Sequence, residues 1–252
     1  MKISTTFYIA GFCAIFSFLA PLYASEHNGA QTPTIMLNDT NKEPFTNNNK
    51  DGFFDLILAE IFQAVGYQLK TVHLPPERGL LSANDGIVDG EVNRIINLES
   101  TYPNLIRVPE KIRDSDFCAL SLNPTIINTP EVLNKKVVGH IKGWKIYDKM
   151  MRDSKQVITV SSPQQLLRLL KLQRIDVALY TCVEGLALAK QLNIQQLKIL
   201  KPSFIQVGMY IYLNKRHVDL VPKLSQALHA IKKNGRYGQL YQEKIRPYYV
   251  NE

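Results

Sequence analysis

The sequence lacks every short motif that commonly announces catalysis. It has no HExxH, GxSxG, Walker A loop or GxGxxG, so zinc-protease, nucleophile-elbow, P-loop and dinucleotide chemistry have no local signature. The five histidines (His27, His73, His140, His217 and His229) are scattered, no two within four residues, which argues against a zinc site built on local spacing. Cysteine is scarce: three in 252 residues, and no histidine lies close in sequence to Cys118 or Cys182, so thiol catalysis is not nominated. Long apolar runs are nearly absent and mean hydropathy is −0.12, which excludes a multispan membrane protein. At 45% hydrophobic residues the chain is also too apolar for a disordered one.

Charge is imbalanced but dispersed. The formal +8 comes from 30 Lys+Arg against 22 Asp+Glu, spread along the whole chain. Lys135-Lys136, Lys215-Arg216 and Lys232-Lys233 are the densest groups, and the last closes a helix, where cations suit the helix dipole. Solvated faces and helix ends account for these pairs more economically than a phosphate track, so nucleic acid is not an expected partner.

The one apolar run sits at the start. Lys2 is followed by Phe7 to Ala20, rich in Phe, Ile, Ala and Leu, and Pro21 then breaks the run before Leu22-Tyr23-Ala24. Positive end, apolar stretch and small residue at the cut make residues 1–24 a predicted cleaved signal peptide. The run is short for an uncleaved anchor, and bulky Phe12 before Cys13 argues against lipid attachment. The leader predicts export to the periplasm. Cys118 and Cys182 then remain as a candidate disulfide, which the sequence leaves open.

Beyond the leader the apolar pattern alternates between strand and helix. Thr34 to Leu37 reads as a strand, and Phe54, Leu58, Ile61, Phe62 and Val65 recur at helical spacing up to the stop at Gly66. Gln68 to Leu74 reads as a strand, Glu77 to Asn84 as a short helix after Pro76, and Ile87 to Val92 as a third strand. An irregular segment rich in Pro, Asn and Asp follows. Strands are then predicted at 116–122, 136–141, 156–160, 175–180 and 206–213. Helices are predicted at 144–151, 166–172, 183–192, 219–234 and 237–245, and Ser162-Pro163-Gln164-Gln165 forms a capping box before the second of these. Two βαβ series with a helical end argue for a two-lobed α/β protein.

Six stretches in order resemble the family 3 extracellular solute-binding proteins, the periplasmic receptors of amino-acid-type ABC importers. They are Glu43-Pro44-Phe45, Gly52-Phe53, Asn84 to Gly90, Lys135 to Trp144, Leu170 to Ala178, and Lys232 to Tyr237. Each is weak alone; the ordered set spans nearly all of the chain after the leader. The resemblance implies a type II periplasmic binding fold, each lobe a mostly parallel sheet flanked by helices, with the chain crossing between lobes twice. It implies a discontinuous first lobe of residues 33–117 and 208–252 and a second lobe of 118–207. A ligand would sit in the cleft between lobes, where strand ends and helix N-termini meet.

The residues matched to that cleft are Phe45 after the first strand, Glu77 and Arg78 at a helix start, Glu91 and Arg94 at the end of the third strand, Gly143 and Trp144 at a loop-to-helix junction, and Tyr180 and Thr181 at a strand tip. Arg94 is the expected anion anchor, because a guanidinium holds a carboxylate bidentately. Two departures matter. Thr181 stands where amino-acid binders usually carry an aspartate, with Glu184 the nearest acidic substitute, and the carboxylate-binding TxxR stretch is replaced by Ile95 to Ser100. The resemblance therefore implies a non-enzymatic, monomeric receptor for a small polar solute, amino-acid-like or another organic molecule, with no cofactor and no metal, whose partner would be an inner-membrane ABC permease. A sensory or interaction protein on the same fold is the first alternative, and a small-molecule lyase or dehydratase on this scaffold the second.

Overall fold

A computed structural model describes Met1, residues 32–202 and residues 204–249. Apart from Met1, the predicted leader lies outside the described residues. The first series is β1 (Thr34–Asn38), α1 (Phe53–Ala64), β2 (Gln68–Val72), α2 (Pro76–Asn84) and β3 (Gly90–Arg94), followed by β4 (Leu105–Arg107). β1 lies between β2 and β3 and is parallel to both. The second series runs β5 (Arg113–Ser121), α3 (Pro130–Leu133), β6 (Val138–Ile141), α4 (Lys145–Met150), β7 (Val157–Val160), α5 (Pro163–Lys171), β8 (Val177–Thr181), α6 (Cys182–Gln191) and β9 (Lys198–Ile199). Here β6 is the parallel neighbour of both β7 and β8. The chain ends with β10 (Ile205–Asn214), α7 (Val221–Lys233) and α8 (Arg236–Lys244).

β5 and β10 join the two sheets. The first half of β10, Ile205 to Met209, is antiparallel to the start of β5, while its second half pairs with β3 and β4. The far half of β5, Phe117 to Leu120, pairs antiparallel with β8. One long strand thus changes partners midway, giving the strand order β2-β1-β3-β10-β5-β8-β6-β7.

Apolar periodicity explains how the helices cover these sheets. α1 buries Phe53, Phe54, Ile57, Leu58, Ile61 and Phe62, a stripe repeating every three to four residues that packs with α7 and α8 on one face of the first sheet. Its first turn is tied down by Asp55, whose Oδ2 accepts from the backbone N–H groups of Asn47 and Gly52 at 3.0 and 3.2 Å. Gly66, with φ of +83°, ends the turn that follows, a conformation glycine adopts without a Cβ penalty. α5 buries Leu166, Leu167 and Leu170, and Ser162 caps it by accepting from Gln165 N–H at 3.2 Å. The Gln165 side chain returns to Ser161 rather than to Ser162, so the expected capping box is shifted by one residue. Two further apolar clusters lie on the two faces of the second sheet.

Two details differ from the sequence expectation, and a third answers what it left open. β3 begins at Gly90, not Ile87, because Ile87 is exposed and residues 87–89 bend, the Asp89 carboxylate accepting from Met36 N–H at 2.7 Å. β4 lies in the segment expected to be irregular, and α3 and β9 in stretches given no element; at two to four residues they are too short to carry a period. Cys118 and Cys182 are disulfide-bonded with Cα atoms 5.3 Å apart, since the β5–β8 register sets Cys118 opposite Tyr180 at the foot of α6. Among the described residues no helix is long and apolar enough to cross a membrane.

Candidate functional site

Parallel strands bring their carboxyl ends to one edge of each sheet, and the loops there are where an open α/β sheet binds its ligand. At the edge of the first sheet these are the segments after β1, β2 and β3. Asn38, at the end of β1, accepts from Leu74 N–H at 2.7 Å and donates to Glu91 at 2.8 Å, tying the three strand ends together. Asp39 follows. Its Oδ1 accepts from Asn41 N–H at 2.8 Å and from the Asn41 amide, and its carbonyl oxygen pairs with His73 Nδ1.

From Asn41 a polar chain runs to the second sheet. Asn93 donates to Asn41 Oδ1 at 2.6 Å, Arg113 Nε donates to Asn93 Oδ1 at 3.0 Å, and Arg113 Nη2 donates to Glu184 Oε1 at 2.7 Å. Arg113 opens β5, one of the two joining strands, and Glu184 lies in the first turn of α6. The Arg113 guanidinium lies over the Phe45 ring, 3.8 Å from its centroid. Asn93 holds a left-handed backbone, φ +63°, which asparagine tolerates better than most residues.

Two acceptors in this chain have no partner among the described residues. Asp39 Oδ2 and Glu184 Oε2 are both buried and make no hydrogen bond. Burial pushes the Asp39 carboxyl above its ordinary range, against the pull of the Asn41 hydrogen bonds. Burial also raises Glu91, with Arg94 acting in the opposite direction. An unsatisfied buried carboxylate oxygen is costly unless a donor meets it, so this edge is built for a partner that brings N–H or O–H groups.

Two cavities adjoin Glu184. One, of about 200 Å³, lies between the β1–α1 loop (Thr46 and Asn47) and the second sheet's Gln164, Tyr180 and Glu184. Gln191 of α6 donates to Glu43 across its rim. The other, of about 390 Å³, lies beside α8 and the joining strands. Among the described residues no group of three or more His, Cys, Asp and Glu side chains is placed to hold a metal ion.

The residues nominated from sequence fall into four groups. Tyr180 lines the smaller cavity, and Trp144 packs against it with ring centroids 5.2 Å apart while stacking on Tyr147 at an interplanar angle of 4°. Thr181 is buried beside them at the start of α6, and Gly143 is exposed with φ of +84° and open space where a Cβ would stand. Phe45 is a core residue packed on Phe53 and Phe54, and reaches the larger cavity beneath Arg113. Glu91 and Arg94 grip each other at 2.7 Å, and Arg94 also donates to Pro76 O at 3.2 Å, so the expected anion anchor already holds the protein's own carboxylate. Glu77 and Arg78 are exposed on α2, reach neither cavity and form no ion pair among the described residues. Asp39, Asn41, Asn93 and Arg113 were not nominated, although the first three stand at strand ends that polar residues mark.

No protein-family model matches the chain. An uncharacterized protein of Shewanella oneidensis is 26% identical over 202 residues, covering 75% of this chain and 74% of that one. Among solved structures, a probable amino-acid ABC transporter extracellular-binding protein from Bacillus subtilis superposes with a TM-score of 0.73 at 15% identity, over 85% of this chain and 99% of that one. An arginine transport-system periplasmic binding protein from Legionella pneumophila gives 0.67 at 19% identity, over 84% and 100%. A histidine kinase sensor domain similar to periplasmic binding proteins gives 0.70 at 15% identity, over 85% and 96%. The chain therefore has the type II periplasmic binding fold expected from its motifs.

Proposed function

We propose that this chain is a periplasmic solute-binding protein of the family 3 type, which closes two lobes on a small, donor-rich polar solute. The lobes we assign are residues 33–117 with 208–252, and residues 118–207. The observation that carries the reading is the polar chain from Asp39 to Glu184: it joins loops of both sheets, and each of its two terminal carboxylates presents one buried oxygen without a partner. A ligand amine or guanidinium would satisfy these atoms on lobe closure, a hinge movement between β5 and β10. The neighbours named for arginine and for amino-acid transport support an amino-acid-like solute. In this reading Thr46, Gln164, Tyr180 and Thr181 border the ligand, Trp144 backs Tyr180, and the receptor works without catalysis or cofactor. The leader directs export, and an inner-membrane permease is the partner.

The test is a thermal-shift and calorimetry screen of the purified protein against amino acids, amines, polyamines and organic acids. A true ligand raises the melting temperature in proportion to the logarithm of its concentration above Kd. It also changes the emission of Trp144, the only tryptophan. A broad panel without a saturable hit refutes the reading. A sensory receptor is the second reading, favoured by the sensor-domain neighbour; unimpaired uptake of the labelled ligand in cells lacking the protein would select it.

A further inference from the structure

The larger cavity does not belong to the cleft edge just described. It is lined by residues of β5, β10 and α8, with Arg113 and Glu184 in its wall, and shares only Glu184 with the smaller cavity. At about 390 Å³ it falls in the range of small-molecule sites. Three tyrosine rings, Tyr237, Tyr241 and Tyr249, form much of its wall, and the polar groups facing them are chiefly acidic: Asp114, Asp116 and Glu184 against one guanidinium.

The state of each charge decides what this space can hold. Asp114 is neutralised by Lys111, which reaches both carboxylate oxygens at 2.7 and 2.8 Å. Arg113 is occupied by Glu184 Oε1, Asn93 and Ser115 and lies flat on Phe45, so it offers little to an incoming anion. Asp116 has only a neutral partner, Gln206, at 2.8 Å. Glu184 is 8% exposed and its Oε2 has no hydrogen-bond partner. Asp116 is thus left without a cation of its own, and Glu184, paired with Arg113 through Oε1, keeps one buried oxygen unpartnered, beside aromatic faces, in a protein whose overall charge is +8. Tyrosine faces and carboxylates together favour a cation, and an unpartnered buried acceptor favours one that carries N–H donors. Burial raises the phenols of Tyr237, Tyr241 and Tyr249, so all three present neutral rings at ordinary pH.

We propose that this cavity is a second binding site, for a small primary ammonium ion held chiefly by Asp116 and the tyrosine faces, meeting the solute cleft only at Glu184. Its occupant would touch both joining strands and α8 at once.

The probe is n-butylammonium, with 1-butanol as its uncharged counterpart, titrated calorimetrically into the purified protein. Saturable binding of the amine and none of the alcohol is expected. Asp116→Asn, a near-isosteric change at a half-buried strand position, should weaken amine binding at least tenfold, and Tyr241→Leu should weaken it several-fold while keeping the wall apolar. No saturable binding at tens of millimolar, equal binding of the alcohol, or an unchanged affinity in Asp116→Asn would each overturn the proposal. Gln164→Ala separates the two sites: it should weaken a solute held in the cleft and leave n-butylammonium unaffected, and loss of n-butylammonium binding in that variant would also overturn it.

Discussion

Arg113 and Glu184 form an ion pair whose side chains are 8% and 9% exposed, with Arg113 in a joining strand and Glu184 in the second sheet's helix α6. Replacing Arg113 with methionine leaves an apolar chain over Phe45 but strands Glu184, one of whose oxygens already lacks a partner. Breaking a buried pair from one side costs about 3–5 kcal/mol, because the remaining charge keeps its desolvation penalty without its counterion. For a chain of this size each kcal/mol lowers the melting temperature by roughly 2–4 °C, so Arg113→Met should melt about 6–20 °C earlier. Glu184→Gln keeps an acceptor for Arg113 and should cost less, about 1–2 kcal/mol. In the double variant no carboxylate is stranded, so its loss should fall short of the sum of the single losses by about 1–3 kcal/mol. Urea denaturation at neutral pH, followed by far-ultraviolet circular dichroism and Trp144 emission, measures all three. A cost below about 1 kcal/mol for Arg113→Met, or additivity within about 0.5 kcal/mol, would refute the claim that the two charges depend on each other.

The Cys118–Cys182 bond closes a loop of 64 residues, for which chain entropy suggests about 4 kcal/mol; the paired alanine variant should lose up to that in denaturation, and an unchanged midpoint would refute it. Burial lifts the Asp39 carboxyl above its ordinary 3.8, so the folded chain keeps that proton to higher pH than the unfolded one. Stability is therefore lost as pH rises through the window that opens at 3.8, and Asp39→Asn should gain on the parent as pH rises from below that value through the raised one. A stability difference that does not vary with pH would count against it. Gly79 stands where an added Cβ would collide with the Asn38–Glu91 pair, so Gly79→Ala should destabilise by about 1–3 kcal/mol, read as a lower urea midpoint; a neutral effect would show that the pair can move aside.

Much of the fold could be read along the chain because its larger elements are periodic and locally punctuated. α1 shows its buried stripe in the spacing of Phe54, Leu58, Ile61 and Phe62, and Gly66 marks its end. α5 shows its cap in Ser162. β4 and β9 were not legible, since three and two residues carry no period and their partners, β10 and β5, lie far off in sequence. The joining role of β10 was visible only by resemblance: nothing in Ile205 to Asn214 says that the strand changes partners halfway.

The candidate edge could be placed at the strand ends from sequence, but not its side-chain pairing, and Arg94 shows why. In a regular strand Glu91 and Arg94 would point to opposite faces, so sequence alone leaves the guanidinium free for a ligand. The register between β10 and β3 slips here: Tyr210 faces Arg94 and Tyr212 faces Glu91, so three residues of β3 span two of β10. Asn93, with its positive φ, takes up the extra residue and turns Arg94 back onto Glu91. The same distortion aims the Asn93 amide at Asn41 and Arg113. One bulge thus removes the anchor that the sequence nominated and completes the polar chain that it did not. The consequence for recognition is one of sign. With Arg94 held by Glu91 and Arg113 by Glu184, these two arginines are neutralised by the protein itself, and Asp39 and Glu184 each keep a buried carboxylate oxygen unpartnered. A chain whose composition is basic therefore carries buried, unpartnered carboxylate oxygens at its candidate edge, which net charge counted over the whole sequence conceals.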